Sequence, residues 1–188
     1  DGIGPEVTEA TLKILSTVQK TAKGLKLEFT FGEAGFNCIE KHGTNVPPKT
    51  LDMLRQTDAC LKGPMTTPEE AGAPPSAAVT IRKALNLYAN VRPCKSLPSV
   101  PAQRPDINLI VLRENTEGLY SGQEFEVAPG KGVAMRIITQ EASERIAEVA
   151  FGLAEKRKRH VTCVHKRNIL RITDGIFVDA VTKTAKKH

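Results

Sequence analysis

The chain contains no tryptophan, six phenylalanines and two tyrosines, and that scarcity limits what it can bind. Its basic residues outnumber its acidic ones, for a net charge of +6. Such a surplus suits nucleic acid, an anionic surface or an acidic small substrate. The densest basic run, Lys156-Arg157-Lys158-Arg159-His160, has no aromatic residue interleaved with it. No stacking platform for single strands is therefore expected. The run falls at the end of a predicted helix, where cations complement the helix dipole. Nucleic acid is not an expected partner. Neither is a membrane, because no apolar window reaches the length of a span.

Other absences narrow the reading further. Cys38, Cys60, Cys94 and Cys163 are scattered, with no C-x-x-C pair, which argues against both a disulfide framework and a zinc site. Four reduced thiols suit the cytoplasm, or the mitochondrial matrix in a eukaryote. Nothing at the start reads as an export leader, and there is no internal repeat or low-complexity tract. The opening turn, Asp1-Gly2-Ile3-Gly4-Pro5, lacks the third glycine of G-x-G-x-x-G, so a Rossmann phosphate loop is not supported. The chain begins on that turn with no strand before it and stops at a helix end, which reads as part of a longer protein.

What is present is an alternation of helical and strand-like segments. Gly4-Pro5 opens a first helix running to about Lys23, with Val7, Thr11, Ile14 and Val18 at helical spacing. Short helices are expected at Phe36 to Lys41 and Lys49 to Gln56, and longer ones at Ala78 to Tyr88 and Ala142 to Lys156. Strands are expected at Leu25 to Phe31, Ala59 to Leu61, Leu109 to Leu112 and Val161 to Val164. Such alternation argues for an α/β protein with a mostly parallel sheet flanked by helices. Phe125 to Val127 and Val133 to Ile138 flank a Pro-Gly-Lys-Gly turn and read as a hairpin, an arm of about residues 118–138 that could pair with another subunit. Three prolines between Ser96 and Pro105 mark a crossing between domains. Residues 1–98 would belong to a large domain and 99–188 to a smaller one carrying the arm.

The chemistry concentrates at predicted strand exits. Arg113-Glu114-Asn115-Thr116-Glu117-Gly118-Leu119-Tyr120 follows the apolar run Asn108 to Leu112. Arg113 offers a forked cation for a carboxylate, and Tyr120 a hydroxyl able to act as an acid. Arg82 and Arg92 lie upstream, Arg82 within a predicted helix, and Lys166 lies downstream at the end of an apolar run. Ser76 is placed to cap the helix that carries Arg82. Lys62-Gly63-Pro64-Met65-Thr66-Thr67-Pro68 follows a short strand, where α/β sheets bind ligands. His165 has no second histidine or cysteine at ligand spacing and reads as structural.

Taken in order, D-G-I-G-P-E-V, K-G-P-M-T-T-P, Y-A-N-V-R-P, R-E-N-T-E-G-L-Y and H-K-R-N-I-L resemble the β-decarboxylating dehydrogenases across essentially all 188 residues. That family includes isocitrate, homoisocitrate and isopropylmalate dehydrogenases. The resemblance implies metal-assisted oxidation and decarboxylation of a 2-hydroxy-3-carboxy acid, with NAD or NADP as hydride acceptor and Mg2+ or Mn2+ as the ion. It implies that Arg82, Arg92 and Arg113 bind carboxylates, that Ser76 meets the distal one, and that Tyr120 protonates the enol. Lys166 would take the hydroxyl proton in a neighbouring subunit's site, with Asn168 close by. Thr66 and Ile3 would approach the cofactor. Homodimers or higher homo-oligomers with shared sites follow from the same resemblance. The family's metal-binding aspartates have no match here; Asp174 and Asp179 do not occupy those positions. Isocitrate is favoured over isopropylmalate, which is read with a Leu-rich recognition helix. Ala78 stands where many isocitrate enzymes carry Asn, which admits homoisocitrate. A non-catalytic regulatory subunit is a further alternative, opposed by the retention of all five catalytic and carboxylate-binding residues.

Overall fold

A computed structural model describes residues 1–67 and 73–188; Pro68, which ends the K-G-P-M-T-T-P motif, lies outside the described residues. The chain gathers into two compact units, Asp1–Leu85 and Asn86–His188. Helices α1 (Gly4–Thr21), α2 (Phe36–His42), α3 (Pro48–Arg55) and α4 (Ala77–Ala84) build the first unit. Proline stands in the opening turn of α1 and of α3, where its missing N–H leaves no bond unmade. Val46, Leu54, Ala77 and Ile81 form the buried cluster of this unit, with Leu51, Met53 and Met65 packed against it.

The second unit holds β1 (Ala89–Lys95), β2 (Asn108–Glu114), β3 (Glu124–Ala128), β4 (Lys131–Ala134), α5 (Gln140–Glu155) and α6 (Thr173–Ala185). Its buried apolar residues are Ala142, Ile146, Ala147 and Ala154 on α5 and Ala180 on α6, small enough for the two helices to approach closely. Helix α4 stops short of the expected Tyr88. Asn86 takes φ 50°, a left-handed conformation that Asn tolerates better than most residues, and the chain leaves it directly for β1. Among the described residues no helix is long and apolar enough to cross a membrane.

Mixed helices and strands fit the α/β class, but the expected mostly parallel sheet is corrected. Both ladders among the described residues are antiparallel, β1 with β2 and β3 with β4. The β1–β2 connection has no helix to carry the chain back for a parallel return, so the pair must run antiparallel. That connection contains the Ser96–Pro105 segment, which therefore joins two strands of one unit instead of crossing between units. Ser96 closes it, donating its N–H to Ile107 O at 2.9 Å and its hydroxyl to Arg104 O at 2.6 Å. Segments 25–31, 59–61 and 161–164 are not strands in the structure. Apolar alternation marks a segment suited to a sheet, whereas strand formation also needs a neighbour to bond to.

Candidate active site

In the first unit, the Asp1 carboxylate ties two loops together. It accepts the Thr66 N–H at 2.6 Å and also the N–H of Phe36. The turn holding Ile3 and the loop holding Thr66 are thus brought side by side, both exposed. Gly4 is buried against the Pro64 carbonyl so closely that a Cβ would collide with it; only glycine fits at this approach. The Thr66 hydroxyl has no protein partner among the described residues, which leaves it uncommitted. At the amino end of α4, buried Asn45 donates to Pro75 O and to Thr80 Oγ1. Ser76 occupies the expected N-cap position but makes no side-chain cap bond, so its hydroxyl is uncommitted. Arg82, half-buried in the last turn of α4, makes no ion pair among the described residues.

A cavity of about 1120 Å³ opens in this unit beside α1 and residues 26–34 and 56–65. None of Ile3, Thr66, Ser76 or Arg82 lines it. It is bordered by two of the segments that failed to form strands, and reads as incompletely filled core.

In the second unit the register decides which side chains share a face. Asn90 pairs with Arg113 and Arg92 with Val111, so Asn90, Arg92 and Arg113 project from the same face of the ladder. Arg92 Nε donates to Asn90 Oδ1 at 3.2 Å. The Arg113 guanidinium lies 5.2 Å from the centre of the Tyr120 ring, within the range of a cation–π contact. Its Nε is buried with no partner. Arg55, Arg104, Arg136, Arg145 and Arg167 are all in ion pairs; among the described residues Arg82, Arg92 and Arg113 are not. Arg157, Arg159 and Arg171 are also without an ion pair among the described residues, but all three are exposed and none lies on the ladder.

The opposite face of β2 meets α5. There Glu114 accepts from the Thr116 N–H (2.8 Å), the Thr116 hydroxyl (2.6 Å), the Glu117 N–H (2.8 Å) and Arg145 Nη2 (2.9 Å). Burial alone would raise its pKa, but these donors outweigh it and hold the carboxyl below the usual 4.5. Glu117 in turn accepts from the N–H and hydroxyl of Thr139, the N-cap of α5. Gly118 sits at φ 66°, ψ −134°, a conformation open to glycine alone, and leads into the short helical turn Leu119–Ser121 carrying Tyr120.

Lys166 and Asn168 lie on a turn before α6. The Lys166 N–H donates to Asp174, which is 1% exposed and also paired with Arg136 at 2.6 Å. Burial would raise the Asp174 pKa; the Lys166 N–H and Arg136 overcome it and lower it. No side-chain bond links Lys166 or Asn168 to Arg113 or Tyr120 among the described residues. Sequence reading missed Glu114, Thr116, Asn90, Thr139 and Arg145 as site-builders. One usable signal was Arg145, a charge three residues after Ala142 on the inward side of an amphipathic helix.

Among the described residues no group of three or more His, Cys, Asp or Glu side chains could hold a metal ion. Asp174 and Asp179 are already engaged by Arg136 and Arg167. The residues present do not fit a magnesium or manganese site.

Comparison with known proteins converges on one family. The sequence matches the isocitrate/isopropylmalate dehydrogenase family over residues 1–188. It is 45% identical to 3-isopropylmalate dehydrogenase of Methanothermobacter thermautotrophicus, covering 100% of this chain and 54% of that protein. It is 42% identical to isocitrate/homoisocitrate dehydrogenase of Thermus thermophilus, covering 99% and 54%. The crystal structure of isocitrate dehydrogenase from Methylococcus capsulatus superimposes with a TM-score of 0.89 at 40% identity, over 100% of this chain and 55% of that one. The chain spans about half the length of the curated relatives it matches.

Proposed function

Since the chain belongs to the isocitrate/isopropylmalate dehydrogenase family, we propose that the full-length protein oxidatively decarboxylates a 2-hydroxy-3-carboxy acid, with isocitrate as the favoured substrate. The observation that carries this reading is the ladder face bearing Arg92 and Arg113, with Tyr120 beneath the Arg113 guanidinium. Cations with free N–H groups attract carboxylates, and a phenol beside them is placed to deliver a proton.

Arg82, Arg92 and Arg113 bind substrate carboxylates, and the uncommitted Ser76 hydroxyl takes the distal one. Lys166, contributed by a second copy of the chain, accepts the proton of the substrate hydroxyl, with Asn168 beside it. A nicotinamide cofactor, NAD or NADP, approached by Ile3 and Thr66, supplies the hydride acceptor. The resulting β-keto acid loses CO2, and Tyr120 returns a proton to the carbon that lost it. A magnesium or manganese ion, if used, draws its ligands from residues beyond those described. The ordinary setting would be the cytoplasm, or the mitochondrial matrix in a eukaryote.

The test is turnover by the full-length protein with isocitrate, homoisocitrate and isopropylmalate, each with NAD and NADP. Isocitrate should give the highest kcat/KM. Tyr120→Phe and Lys166→Met should each lower kcat by about 100-fold or more, as expected for lost general acid–base groups. Wild-type rates in both variants would remove the assigned roles. Homoisocitrate or isopropylmalate as best substrate would move the specificity, and no turnover until another subunit is added would mark a regulatory partner.

A further inference from the structure

We propose that Glu114 and Arg145 form a positioning device that fixes Arg113 and Tyr120 relative to one another; this rests on the function proposed above. Glu114 and Arg113 are neighbours in β2, so they project from opposite faces. The Glu114–Arg145 pair therefore sits behind the ladder, on the α5 side, away from a substrate held over Arg92 and Arg113. It acts through the backbone between them.

The Glu114 carboxylate receives four donors, three of them from the turn that links Arg113 to Tyr120. Arg145 Nη2 donates both to Glu114 and to the Thr116 hydroxyl, at 2.9 and 2.6 Å. The same guanidinium reaches Asn86 Oδ1 at 3.2 Å and covers the Tyr88 ring at 4.5 Å. One side chain thus joins the entry to β1 and the exit from β2. Buried Asn115 repeats the connection, donating its side-chain N–H to Leu87 O at 2.8 Å and its backbone N–H to Tyr88 O at 3.0 Å. Thr139 anchors Glu117 from the amino end of α5.

The pair is not built for stability alone. Arg145 Nε is buried without a partner, a desolvation cost that an apolar side chain would avoid. What the charges add is direction. A turn pinned at Thr116 and Glu117 can release Tyr120 in only one orientation, and misplacement of a catalytic group by about 1 Å can cost roughly 100-fold in rate.

The experiment compares Arg145→Met, Arg145→Lys and Arg157→Met in the full-length protein. Arg157, in the turn that follows α5, bonds Asn108 at the other end of β2, and serves as the control. Two readouts are taken: kcat and KM, and amide hydrogen exchange across residues 115–121 and α6. Arg145→Met should lower kcat about 10- to 100-fold with KM changed far less, and should speed exchange at 115–121 but not in α6. Arg145→Lys, which keeps a cation for Glu114, should restore most of kcat, and Arg157→Met should match wild type. Wild-type kcat in Arg145→Met overturns the proposal, as does exchange that rises equally in α6. If the wild-type protein turns over none of the substrates, the proposed activity fails. Exchange at 115–121 then still decides whether the pair holds the turn.

Discussion

A guanidinium that already donates to a carboxylate has fewer N–H groups left for a ligand. Arg145 and Arg113 lie in one unit, yet the first is tied to Glu114 and Thr116 while the second has no ion pair. Arg113 and Tyr120 were legible in the sequence because an apolar run precedes them and their chemistry is complementary. Glu114 stood in the same motif, but its role was hidden, because its partner Arg145 is 31 residues away. The pair has a consequence for acid stability. Glu114 has a folded pKa below its ordinary 4.5, so its contribution is complete above about pH 4.5 and is lost as pH falls through the lowered folded value. Thermal melting between about pH 6 and pH 3 should show this loss in the wild type. Glu114→Gln, which cannot titrate, should melt lower at pH 6 and show a shallower fall on acidification. An unchanged slope would remove Glu114 as a source of the acid limb.

At the level of elements, helices α1 to α5 were read from the sequence, α6 was given no range, and sheets were read poorly, for a physical reason. Helix signals are local: Pro5 at the start of α1, and apolar spacing along α1 and α5, already point to bonds made within the segment. A strand's bonds are made to another segment, so Val161–Val164 can be apolar and still have no partner. Leu109 to Leu112 did form, as part of β2, and so did the hairpin, whose partners are adjacent and whose Pro-Gly turn marks the reversal. Thr139 illustrates a local signal that was missed. It caps α5 through the Ala142 N–H at 3.2 Å while also donating its hydroxyl to Glu117 at 2.6 Å. Thr139→Ala should destabilise the second unit by about 1–2 kcal/mol, since it removes an N-cap and one bond to a carboxylate. Thr139→Ser, which keeps both bonds, should stay close to wild type. Urea denaturation of the two variants distinguishes them, and equal midpoints would discount the cap.

For the whole molecule, the central expectation is that Tyr120 and Lys166 serve one site from two copies of the chain. It makes a quantitative prediction. Tyr120→Phe and Lys166→Met subunits, each inactive alone, should regain roughly a quarter of wild-type activity when refolded together in equal amounts. Half of the random dimers are hybrids, and in each hybrid one of the two equivalent sites is intact. Recovery of no activity would place both residues in the same site of one subunit.

The β3–β4 ribbon carries this further. Phe125 and Val127 are more than half exposed, and Val133 opposite Phe125 is uncovered as well. Two strands alone are marginally stable in water, and these leave much of Phe125, Val127 and Val133 uncovered. If a second copy supplies the missing cover, finishing the ribbon and meeting that copy become a single event. Subunit concentration, as well as sequence, then governs how much of the arm exists, and dilution becomes a way of unfolding one element while leaving the α5–α6 pair intact.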